Sequence, residues 1–99
     1  MTTNANPIAV DYSNEELRLL VEEYLSMQKA EFSLKGVCSS VLYWAMEEGR
    51  TGGESNTIYE SNQLQGSDCE RVRQILESIV KDGRICRVGD NDNRFVKQL

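Results

Sequence analysis

Three stretches repeat their apolar residues at the period of a helix. Leu17, Leu20, Val21, Tyr24 and Leu25 form the first stripe, with Glu15, Arg18, Glu22 and Glu23 outside it. Val37, Val41, Trp44 and Ala45 form the second, widened by Cys38, Leu42 and Met46. Val72, Ile75, Leu76, Ile79 and Val80 form the third. Spacings of three and four residues place such side chains on one face, which must be buried. After Gly83 the period changes. Arg84-Ile85-Cys86-Arg87-Val88 alternates, Gly89–Asn93 is turn chemistry, and Arg94-Phe95-Val96-Lys97 returns. That is the pattern of a hairpin, and a lone hairpin needs a helix to lie on.

The boundaries carry their own signals. Ser13 with Glu16, and Ser67 with Glu70, have the spacing of a capping box, in which each side chain satisfies the other's free N–H. The pattern predicts helices from Ser13 to about Lys29, over 34–48 with Ser33 as cap and Gly49 as stop, and over 67–82 with Gly83 as stop. Residues 1–12 read as a flexible leader, with Ile8 and Val10 set to tuck against the first helix; 13–99 read as one domain. Trp44 and Tyr43 are expected to anchor the core. Arg50–Asn56 reads as a connector, and 57–64 is ambiguous: Ile58, Tyr59 and Leu64 could serve a short helix, with Gln65-Gly66 as the turn into the third stripe. Leu19 and Met27 fall off the first stripe and mark a candidate protein-interaction surface.

Composition narrows the chemistry. Ninety-nine residues suit one domain. There is no histidine, and the three cysteines have no paired spacing, so zinc is not expected and the thiols read as free. No Walker-type glycine loop, cofactor motif or nucleophile beside a base is present, so neither an enzyme nor a cofactor is expected. With no bilayer-length apolar run and no charged-then-apolar leader, the expectation is an intracellular chain of cytoplasm or nucleus, neither secreted nor membrane-bound.

Charge changes the picture more. Net charge is −5, yet residues 1–70 carry twelve acidic and four basic groups while 71–99 carry seven basic and four acidic. The basic groups gather in the last helix and hairpin.

A capped helix ending Lys81-Asp82-Gly83-Arg84-Ile85, followed at once by a hairpin with a polar tip, resembles the winged-helix superfamily over about residues 37–99. The resemblance implies an α+β fold: a winged helix-turn-helix with an extra N-terminal helix and a C-terminal two-stranded wing. It further implies a DNA-binding regulator of transcription or replication, meeting double-stranded DNA through helix 67–82 and the 84–97 hairpin. Ser67, Arg71, Arg73, Gln74, Lys81, Arg84, Arg87, Arg94 and Lys97 are the expected nucleic-acid contacts. Arginine suits guanine, glutamine suits adenine, and the remaining cations suit phosphates. Against this stand Glu70, Glu77 and an aspartate-bearing tip, where a tip for the minor groove more typically carries Arg or Lys. Other members of the family are adaptors in multisubunit complexes that bind proteins and not DNA. The added helix is expected to support a homodimer or to cover the core.

Overall fold

The computed structural model describes residues 6–52, 62–89 and 91–98. It is a mixed α+β fold with three helices and two small three-stranded sheets in the order β1(Asn6–Val10), α1(Asn14–Met27), β2(Phe32–Ser33), α2(Leu34–Glu48), β3(Thr51–Gly52), β4(Asn62–Leu64), α3(Gly66–Lys81), β5(Ile85–Val88) and β6(Asn91–Lys97).

The first two helices start where their caps put them. Ser13 and Glu16 close a full capping box on α1. Ser33 accepts the Gly36 N–H at 3.0 Å, and Gly49 ends α2 at φ 70°. The stripes meet in one core. Leu17, Val21, Val37, Val41, Ala45, Val72, Leu76 and Ile79 are all fully covered, and Leu20, Tyr24, Met46, Ile75 and Val80 line its edge. At 25 cal/mol per Å², burying each of the larger aliphatic side chains is worth about 2 kcal/mol, which is what pins three short helices together.

The antiparallel sheet runs β2-β6-β5. Phe95 of β6 pairs with Phe32 of β2 and stacks on its ring at 5.7 Å, while Tyr24 meets Phe32 edge-on at 5.8 Å. These rings are the aromatic anchor. Tyr43 is 52% exposed and Trp44 only half-buried, contrary to the expectation for that pair. The reason is rotation: Tyr43 lies about 200° around the helix from Val41, away from the core.

Four further expectations need correcting. The leader is not flexible from Asn6 onward: β1 is the middle strand of a second sheet, antiparallel to β3 and parallel to β4, with Ile8, Val10 and Tyr12 buried. Alternation of those three apolar residues is a strand signal. The stretch 57–64, ambiguous in sequence with a short helix as the option offered, is a strand at 62–64; the rest of it lies outside the described residues.

Ser67 is not the cap of α3. The β1–β4 ladder continues through Gln65 N–H to the Ile8 carbonyl at 2.9 Å, and the helix begins at once at Gly66. The Gln65 carbonyl then accepts from Asp68 and Cys69 N–H, at 3.0 and 2.9 Å.

The hairpin has a third strand, β2. Its tip is shorter than expected, because β6 already begins at Asn91 after a register shift between Arg87 and Val88.

The end of α3 follows the sequence closely. Gly83 has φ 78°; its N–H reaches the Val80 carbonyl at 2.9 Å, and Arg84 N–H reaches Ile79 at 3.3 Å. This pair of bonds is the Schellman ending, and it turns the chain directly into β5.

Candidate interaction surface on α3 and the hairpin

The expected contact residues do gather on α3, β5 and β6, but six of the nine, all of them arginine or lysine, are engaged within the chain. Arg71 donates to Asp68 Oδ1 at 2.9 Å, Asn14 Oδ1 at 3.0 Å and the Tyr12 carbonyl at 2.6 Å. Three acceptors from three segments hold one guanidinium, so Arg71 is a clasp between α3 and the β1–α1 joint. Asp68 is buried and also accepts the Val10 N–H at 3.1 Å.

The others follow the same rule. Arg73 reaches Glu70 at 3.5 Å and Asn93 Oδ1 at 3.1 Å. Arg84 makes a two-pronged pair with Glu22 of α1, and Arg87 pairs with Glu77 of α3. Arg94 reaches Glu31 at 3.4 Å, and Lys97 donates to the Gln28 carbonyl at 3.3 Å. Ser67, Gln74 and Lys81 stand exposed on α3. Gln74 shares a shallow groove with Glu15, Arg18 and Arg71. The acidic front of the chain and its basic back therefore largely neutralise one another.

Electrostatics agree with the geometry. The hydrogen bonds from Arg84 hold the Glu22 carboxyl below the usual carboxylate range, with the Arg84 and Arg18 charges adding to the effect, against a smaller desolvation cost. The Arg84 guanidinium is in turn pushed up by its bond to Glu22. Near the start of α1, the Ser13 backbone bond and then the Arg50 side chain hold Glu16 low.

A second surface was not anticipated. A groove of about 960 Å³ runs between α2, β4, the start of α3 and β6. Leu34, Leu42, Tyr43, Met46 and Leu64 make its apolar walls, and Lys35 and Arg94 stand at its rim. The legible signal was Tyr43 lying off the α2 stripe; the other walls come from elements that only the fold brings together. Leu19 and Met27 are 69% and 52% exposed on α1. Eight residues apart, they point about 80° from one another and do not form one patch.

Among the described residues, no group of three or more His, Cys, Asp or Glu could hold a metal ion, and no helix is long and apolar enough to cross a membrane. Comparison with protein-family models, curated proteins and solved structures returns no match for this chain.

Proposed function

We propose that the chain is a winged-helix domain acting as an adaptor that binds another protein. The fold reading rests on a third helix closed by Gly83, a strand entered at once, and a return strand after a short loop. With α1, α2 and α3 as its three helices, α1 is part of the core and not an addition. The stretch from Gly49 to Gln65, which carries β3 and β4, is longer than the tight turn of a helix-turn-helix.

One observation carries the functional reading: Arg71, Arg73, Arg84, Arg87 and Arg94 are each matched by a carboxylate of the same chain. Binding DNA releases counterions only where cationic charge is free to meet phosphate. Here net charge is −5 and the arginines already have partners. The surface offered instead is the groove walled by Leu42, Tyr43 and Met46. Its rim cation Lys35 fits a partner segment of apolar side chains flanked by a carboxylate.

The test has two arms. Anisotropy titration with mixed duplex DNA at about 50 and 200 mM salt, a range that costs a multi-phosphate contact orders of magnitude, is expected to show no binding. A Tyr43→Asp/Met46→Ser variant is expected to lose protein partners that an Arg87→Ala variant keeps.

DNA binding is the second reading. It is favoured by exposed Gln74 and Lys81 on α3, and by the small value of solvent-exposed ion pairs, about 0–1 kcal/mol each, which phosphates can displace. Salt-sensitive duplex binding that weakens in Arg71→Ala and Arg87→Ala would replace the adaptor reading with this one.

A further inference from the structure

The groove beside α2 is ordered along its length. Two rows of side chains, each spaced i, i+4, form its α2 side: Leu34, Cys38, Leu42 and Met46 in one, Lys35, Ser39 and Tyr43 in the other. At the rise of a helix the first row is about 18 Å long. Rows of this spacing are the ridges between which a second helix lays its own. The strands at the border have little backbone to give an extended segment. The Leu64 carbonyl of β4 already accepts the Cys69 S–H at 3.4 Å, and Arg94 of β6 is paired with Ser33 in the antiparallel sheet. Strand addition needs an open edge, whereas a helix needs only a grooved apolar face.

Charge separates the two ends. Lys35 lies in the first turn of α2, and Arg94 is paired with Ser33, the cap of that helix. The positive end of the α2 dipole adds to them. Tyr43 and Met46 lie two to three turns further along. The chain has sixteen acidic residues, yet among the described residues none lines this groove. Lys35 is exposed and has no ion-pair partner among the described residues, and Arg94 meets the exposed Glu31 at 3.4 Å. An incoming carboxylate can compete for an exposed pair of that kind.

We propose that the groove takes an amphipathic helix of a partner protein, about three turns long, with carboxylates in its first turn and an apolar i, i+4 row behind them. The inference rests on the adaptor reading and specifies the partner. The carboxylates meet Lys35 and Arg94, and the apolar row lies against Leu42, Tyr43 and Met46. Acids in a first turn also suit the partner's own dipole, so this order satisfies helix and groove together. Burial of the apolar row supplies the drive. The charges set the direction and turn away basic segments.

The experiment selects a display library of random peptides, about sixteen residues long and so able to form four helical turns, on the folded full chain. Enriched sequences are expected to place Asp or Glu one turn ahead of an apolar i, i+4 row. A synthesised winner should bind Lys35→Glu about tenfold more weakly than the parent at low salt, with the difference fading at high salt. Lysine in place of its acids should reverse that preference. A proline at its centre should abolish binding, because proline breaks a helix and suits an extended chain. Tyr43→Asp should lose the peptide and Arg87→Ala should keep it, with circular dichroism confirming that each variant is folded. Groove-dependent peptides that lack acids, carry them behind the apolar row, or tolerate the proline would overturn this inference and leave the adaptor reading standing. A selection with no groove-dependent peptide would overturn it too, while the adaptor reading is decided separately by duplex titration and partner capture.

Discussion

Asp68 is a carboxylate that water barely reaches, and it is the sole buried charged residue among those described. It satisfies the Val10 N–H and the Arg71 guanidinium together. Asp68→Ala is expected to cost about 2–3 kcal/mol, because both donors lose a buried partner; a urea midpoint measures it. Glu22 and Glu16 make a different prediction. Both carboxyls lie below their ordinary values in the folded chain. Their stabilisation is therefore complete above the ordinary carboxylate range and is lost as pH falls through the lowered values. Melting temperature followed into acid should drop more steeply for the parent than for Glu22→Gln, which has no such pair left to lose. At this scale the sequence was partly legible. Arg71 was visible as a cation on the outward arc of α3, but not that Tyr12, Asn14 and Asp68 would surround it. Those acceptors come from a joint that only the placement of β1 creates.

Helices carry most of what local pattern can specify. The bounds of α2, its Ser33 cap and its Gly49 stop were all readable, because capping is settled within one turn. So was the glycine that ends α3. Gly83→Ala is expected to cost about 1 kcal/mol or slightly more, since an alanine at φ 78° is strained while nothing crowds the added methyl. Ser33→Ala should cost about 1 kcal/mol through the lost cap. Thermal unfolding of the two variants, each with an unchanged far-ultraviolet spectrum, checks both. Strands were harder. β1 joins β3 and β4, whose residues lie more than forty positions away, and a five-residue run with a proline carries too little periodicity to announce them. The start of α3 was misread for the same reason: Ser67 and Glu70 have the right spacing, but the ladder from β1 reaches Gln65 and starts the helix earlier.

Seen whole, the molecule sets an acidic front against a basic back and closes the two with ion pairs. Charge counting along the chain showed the asymmetry; it gave no hint of the cancellation, because Arg84 finds Glu22 and Arg94 finds Glu31 across more than sixty positions. Replacing Glu22, Glu31 and Glu77 together by glutamine takes one carboxylate partner from each of Arg84, Arg94 and Arg87 at little cost in packing, as these acids are at least partly exposed. The triple variant is expected to gain salt-sensitive affinity for duplex DNA that the parent lacks, tenfold or more at about 50 mM salt if three phosphate contacts are regained. An unchanged titration would mean that the arginines are held by geometry and not by charge alone. The pairing has a consequence for descent. On the adaptor reading proposed above, three single-nucleotide-scale changes, Glu to Gln, are all that separates a surface with its arginines matched by carboxylates from one with more positive charge turned outward. On that reading a lineage carrying this fold could cross between binding proteins and binding DNA, in either direction, without rebuilding its core.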